Sequence, residues 1–146
     1  EVARVKYHVH GLIQDPITIT ADKLVGDVLA LIQEKSFQFR TFPIVDDEGK
    51  LLGLLPGRVV KERYRDRKVT EGMLQRNEVY SIRESEVGAD PIETADRFFS
   101  KHMGIHKLLV VDGSDRLRGL YTLSDIERII GESSNHLKPA RHIYQY

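Results

Sequence analysis

The chain has 146 residues, 40% apolar and 30% charged, with Lys plus Arg and Asp plus Glu balanced at 22 each and no cysteine. A formal charge of zero leaves no global field to draw in nucleic acid or an acidic membrane surface. The missing thiols exclude disulfides, thiolate metal sites and cysteine nucleophiles. The length fits one compact domain or two fused half-domains. No apolar run is long enough to span a bilayer and no signal-peptide pattern opens the chain, so a cytoplasmic location is expected. The first residue is Glu1 rather than methionine, which reads as a piece excised from a longer protein.

Residues 1–16 are polar and mixed and read as an entry connector. Its end, Asp15-Pro16, breaks any helix, because a residue before proline is pushed out of the α region. Residues 17–20, Ile-Thr-Ile-Thr, alternate as a short strand does. Asp22 is the expected N-cap of a helix over 23–34, with Leu24, Val28, Leu31 and Ile32 on one apolar stripe. A loop over 36–41 carries Arg40. A strand over 42–46, a tight turn at Asp47-Glu48-Gly49 and a returning strand over 51–55 follow. Pro56-Gly57 opens a helix expected over 58–65, and a linker runs on to residue 78.

The second half has the same order. A strand over 79–82 and a loop over 84–90 lead to a helix from Pro91 to about His102, which buries Ile92, Ala95, Phe98 and Phe99. A loop over 103–106 precedes an apolar strand, 108–111, a Gly-Ser-Asp turn and a second strand, 117–121. The last helix is expected over 124–130, stopped by Gly131. Residues 132–146 read as an exit connector.

The likeness of the halves is numerical. Val45-Asp46 matches Val111-Asp112 and Gly53 matches Gly119, each 66 residues apart, whereas Ile17 and Val79 at the first strands are 62 apart. Four extra residues therefore fall in the 84–90 loop. Each copy alone is too small to bury a good core. An internal duplication has one cheap solution, two βαββα units, 17–67 and 79–131, packed about a pseudo-twofold axis. The expected fold class is α+β, in a sandwich-like arrangement.

In the second copy Thr122, Ser124 and Asp125 stand where a strand gives way to a helix. A helix start with a hydroxyl and a carboxylate at its mouth suits a polar ligand. The alternative is that Thr122 or Ser124 only caps the helix and Asp125 only sits well in its first turn. Arg40 and the His106-Lys107 pair precede the central strands, where they either meet a ligand's phosphates or stand as exposed loop charges. His8, His10, His102, His136 and His142 are too scattered for a metal site. Neither a clustered acid–base dyad nor a Gly-rich phosphate loop is present, which argues against an autonomous enzyme.

The segments FPIVDDEGKLLGLL and KLLVVDGSDRLRGLYTLSDI, in tandem, resemble a pair of CBS domains, the Bateman module, over about residues 12–131. The opening EVARVKYHVHGLIQDPIT, KVTEGM at 68–73 and LKPAR at 137–141 are similar to the flanks and link of this module in IMP dehydrogenases, or in a CBS-containing GMP reductase. The resemblance implies a regulatory module whose catalytic barrel lies elsewhere, with no dehydrogenase activity of its own. It implies an adenine or guanine nucleotide such as ATP, ADP or GTP in the inter-repeat cleft, alone or with Mg2+, as a regulatory ligand rather than a required cofactor. It implies self-association through the CBS modules, as a dimer or higher assembly.

Carried over residue by residue, Thr122 and Asp125 match the ribose-binding positions, with Ser124 between them. Lys107, His106 and Arg40 are placed toward phosphate, and Thr18 on the first strand borders the cleft. The first repeat departs from the pattern, with Pro56 and Val59 at the equivalent positions. Loss of a hydrogen bond to a charged group, roughly 1.5–3 kcal/mol, weakens binding on the order of ten- to a hundredfold. Arg58 is positioned to compensate by reaching phosphate, or is a solvated surface arginine. The competing expectation is a degenerate CBS pair that serves only as an oligomerisation interface.

Overall fold

The computed structural model describes residues 6–7, 12–14 and 16–134; His8, His10, His136, His142 and the 137–141 segment lie outside them. The strands are β1 (Lys6–Tyr7), β2 (Ile13–Gln14), β3 (Ile19–Thr20), β4 (Phe42–Val45), β5 (Leu51–Leu55), β6 (Leu74–Gln75), β7 (Ser81–Arg83), β8 (Lys107–Val111) and β9 (Leu117–Thr122). The helices are α1 (Val25–Lys35), α2 (Val69–Gly72), α3 (Pro91–Lys101) and α4 (Leu123–Ser134). One sheet runs β3-β4-β5-β6 and the other β1-β2-β9-β8-β7. The fold is α+β, as expected.

The duplication is visible atom by atom. Oδ1 of Asp46 accepts from the amides of Glu48 and Lys50 at 2.8 and 3.0 Å; Oδ1 of Asp112 accepts from Ser114 and Arg116 at the same two distances. Both hairpins shift register at the same place, between Ile44 and Val45 and between Val110 and Val111. The two hairpin turns also bond to each other. The Leu51 amide donates to the Asp115 carbonyl and the Leu117 amide to the Gly49 carbonyl, each at 3.0 Å, around a bridge between Lys50 and Arg116. These pairs are repeat equivalents, so the pseudo-twofold axis passes between Lys50 and Arg116. Gly49 (φ 85°) and Asp115 (φ 65°) hold the same left-handed conformation. Glycine adopts it at no steric cost, whereas Asp115 is held there with both carboxylate oxygens on Arg76, at 2.7 and 2.8 Å.

Three apolar clusters follow from strand alternation. On β8, Leu108 and Val110 face the helices and pack with Ala95, Phe99, Tyr121 and Ile126. Leu109 and Val111 face the other repeat, packing with Leu51 and Leu120. Burial on both faces is why this strand reads as an unbroken apolar run. In the first repeat Phe42, Ile44 and Leu55 pack with Val28, Ile32, Val60 and Val69. Phe98 is half-buried against the second repeat's core and Phe99 is buried in it, as their spacing predicts.

The crossing strands are not evident from the sequence. The β2 strand pairs with β9 of the second repeat, and β6, in the stretch read as a linker, pairs with β5 of the first. Each repeat's sheet is completed by the segment that enters the other. Three helix limits also differ from expectation. The first helix starts at Val25, not after Asp22: Asp27 accepts from the Leu24 amide at 2.8 Å, and the amides of Val25 and Gly26 bond to the carbonyls of Arg67 and Arg65. Asp22 instead accepts from the Thr20 hydroxyl at 2.6 Å. The helix expected over 58–65 is two short 3-10 turns, Gly57–Val59 and Glu62–Tyr64. Its charged residues from Lys61 to Arg63 leave no apolar stripe to pack. Gly131 does not end the last helix, which runs on to Ser134. The half-buried Ile130 packs into the core and holds that turn against glycine's cost of about 1 kcal/mol.

Candidate functional site: a cleft between the repeats

The alternation that builds the inter-repeat interface also builds a cleft at its end. On β8 and β9 the face toward the first repeat carries Leu109 opposite Leu120, then Lys107 opposite Thr122. The large apolar side chains give way to an amine and a hydroxyl, and a cleft of about 220 Å³ opens there. Ile17, Phe39, Thr41 and Pro43 of the first repeat, with Pro16 just before it, form one wall, while Lys107, Leu120, Thr122, Ser124 and Asp125 form the opposite wall.

Thr122 caps its helix and also faces the cleft. Its Oγ1 accepts from the Asp125 amide at 3.1 Å, which caps α4, and it still lines the cleft. The Ser124 hydroxyl lies 3.4 Å from it. The Asp125 side chain is 13% exposed, with Oδ1 3.5 Å from Nη2 of Arg128. The amine of Lys107 is held below its ordinary range by burial, and the carboxylate of Asp125 pulls the other way. Among the described residues the cleft thus sets one cation, one anion and three hydroxyls (Thr41, Thr122 and Ser124) against apolar walls.

Lys107, Thr122, Ser124 and Asp125 are brought together. Four other residues named from the sequence are not part of this lining. Arg40 is turned to its own repeat, where Nη2 donates to the Val60 carbonyl. Arg58 is exposed on a 3-10 turn and His106 is exposed beside Lys107. Thr18 is half-buried next to the lining residue Ile17. In the first repeat Pro56 is buried and Val59 sits in the 3-10 turn, so no carboxylate or hydroxyl stands at the equivalent helix start.

Six lining residues were not named as site residues from the sequence: Pro16, Ile17, Phe39, Thr41, Pro43 and Leu120. The repeat offset alone would have found Thr41, the equivalent of Lys107. Phe39 is partly exposed and stacked on Phe37, ring centroids 4.8 Å apart.

The halves of this fold, with a cleft at their junction, define a tandem βαββα repeat, and comparison makes the class specific. The CBS domain family model matches residues 7–58 and 74–132, and the chain belongs to that family. It is 34% identical over 131 residues to the inosine-5′-monophosphate dehydrogenase of Helicobacter pylori (strain ATCC 700392 / 26695), covering 89% of this chain and 26% of that protein. The chain therefore spans about a quarter of the length of the curated relatives it matches. Among solved structures, GMP reductase C318A from Trypanosoma brucei shares the fold with a TM-score of 0.71 at 19% identity, over 86% of this chain and 28% of that one. The cytosolic domain of the Mg2+ channel MgtE in complex with ATP does so with a TM-score of 0.65 at 22% identity, over 81% and 46%. Among the described residues, no helix is long and apolar enough to cross a membrane.

Proposed function

We propose that this CBS pair is a nucleotide-sensing regulatory module. It takes one purine nucleotide in the cleft between its repeats and controls the assembly or activity of an attached, IMP dehydrogenase-like barrel. The observation that carries the reading is the convergence of Asp125, Thr122 and Lys107 on a cleft with apolar walls. An ionised carboxylate accepts from both ribose hydroxyls, and the apolar wall of Ile17, Phe39, Pro43 and Leu120 suits a base. In this reading the CBS pair itself performs no catalysis, and oxidoreductase chemistry belongs to the attached barrel of a cytoplasmic protein. The nucleotide acts as regulator, alone or with Mg2+, and self-association through the CBS modules transmits the signal.

The Pro56 and Val59 departures favour one site per chain rather than two. Calorimetric titration of the chain with adenine and guanine nucleotides, beside sedimentation of free and loaded forms, tests the proposal. The expected result is one nucleotide per chain with a change in sedimentation, and loss of binding in Asp125→Ala with an unchanged melting temperature of the free form. Binding equal in the variant would refute the role of Asp125. No binding of any nucleotide would leave a module that only mediates association.

A further inference from the structure

Positive charge at the cleft is sparse. Among the described lining residues Lys107 is the one cation and Asp125 the one carboxylate. Neighbouring cations are engaged or turned away. Arg40 donates to the Val60 carbonyl. Arg128 is shared between Asp125 and Glu132 at 3.5 and 3.6 Å. His106 and Arg58 are exposed and outside the lining.

The α4 terminus is committed as well. The Leu123 amide donates to the His106 carbonyl at 2.9 Å, and the Asp125 amide to Oγ1 of Thr122 at 3.1 Å. Two of the first three amides that a polyphosphate would use already have protein acceptors. The cleft volume, about 220 Å³, falls below the about 300–1,000 Å³ of ordinary small-molecule sites.

We infer that the cleft selects a nucleoside 5′-monophosphate over the matching triphosphate, with Lys107 reading the single phosphate. This rests on the reading of the cleft as a nucleotide site. A monophosphate brings a charge of about −2 at neutral pH, which the Lys107 ammonium meets on one side while water meets the rest. Each further phosphate adds negative charge beside Asp125 and against apolar walls, with no second cation among the described lining residues to offset its desolvation. Lys107 is half-buried, so its ammonium keeps less of its own water to give up.

The test is calorimetry in Mg2+-free buffer with adenosine, AMP and ATP, and with guanosine, GMP and GTP. It is run on the unaltered chain, on Lys107→Gln, and on Lys107→Arg as a charge-retaining control. For the preferred base, the monophosphate is expected to bind at least about tenfold tighter than the triphosphate, the scale of one charge-assisted hydrogen bond. Lys107→Gln should bring the monophosphate down to the affinity of the nucleoside, and Lys107→Arg should retain most of the difference. A triphosphate that binds as tightly as the monophosphate overturns the inference while leaving the nucleotide site standing. Silence from all six ligands removes the nucleotide site, and this inference with it.

Discussion

Gly53→Ala is the perturbation for which the structure gives the sharpest magnitude. An added Cβ would lie 2.1 Å from the carbonyl oxygen of Leu74 and 2.9 Å from Sδ of Met73. Ordinary contact begins near 3.4 Å, so β6 would have to retreat by about 1.3 Å (3.4 less 2.1). The obstacle is backbone, which cannot swing aside as a side-chain end does. Retreat breaks the pairing of Gly53 with Gln75 and of Leu54 with Leu74, the link that ties the crossing strand to the first repeat. Overpacking costs about 1–3 kcal/mol, and a lost ladder bond adds roughly 0.5–1.5 kcal/mol. The expected total is about 2–4 kcal/mol, or a fall in Tm of roughly 5–15 °C. Gly113 is the control, with no heavy atom within 4 Å of an added Cβ. Gly113→Ala should be neutral or stabilising by up to about 1 kcal/mol through the unfolded chain. Thermal and urea unfolding by circular dichroism read both variants. A Gly53→Ala protein that melts with the parent would refute the claim that β6 is seated against Gly53.

Two further predictions concern the repeat junction and the cleft. The Arg76 guanidinium, donating to both oxygens, holds the Asp115 carboxyl below the usual carboxylate range. With the folded value depressed, its stabilisation is present above the unfolded value of about 3.9 and is lost as pH falls through the folded one. Asp115→Asn should therefore cost under about 1 kcal/mol at neutral pH, since both partners are partly exposed. Its urea midpoint should also fall less steeply than the parent's on acidification below about pH 4; parallel curves would contradict the pairing. Thr122→Val removes the acceptor for the Asp125 amide and should cost about 1 kcal/mol, while Thr122→Ser keeps it. Equal melting of the two variants would count against the cap.

The architecture was legible wherever the chain repeats a physical device. The 66-residue offset reflects two Asp-anchored turns, Asp46 and Asp112, with matching hydrogen bonds. Sequence exposes such devices because they are local. The missed features are long-range. Strands β2 and β6 have two residues each, too few for alternation to register, and their partners lie in the other repeat. The start of α1 is set by carbonyls of Arg65 and Arg67, some forty residues away, so Asp22 could look like a cap without being one. The site was half legible for the same reason. Thr122, Ser124 and Asp125 are neighbours in sequence and announce a helix start. Phe39 and Pro43 reach the cleft only once the two repeats are packed. Arg40 has the charge expected of a phosphate ligand, yet its guanidinium finds the Val60 carbonyl first.

Hydrogen–deuterium exchange of the chain with and without a saturating purine nucleotide tests the central claim most directly, because it reports where a ligand sits. Slower exchange confined to residues 107–111 and 120–126, together with the first-repeat wall around 39–43, is the predicted result. Protection centred instead on residues 56–60, or no change with any adenine or guanine nucleotide at the highest concentration reached, would contradict it.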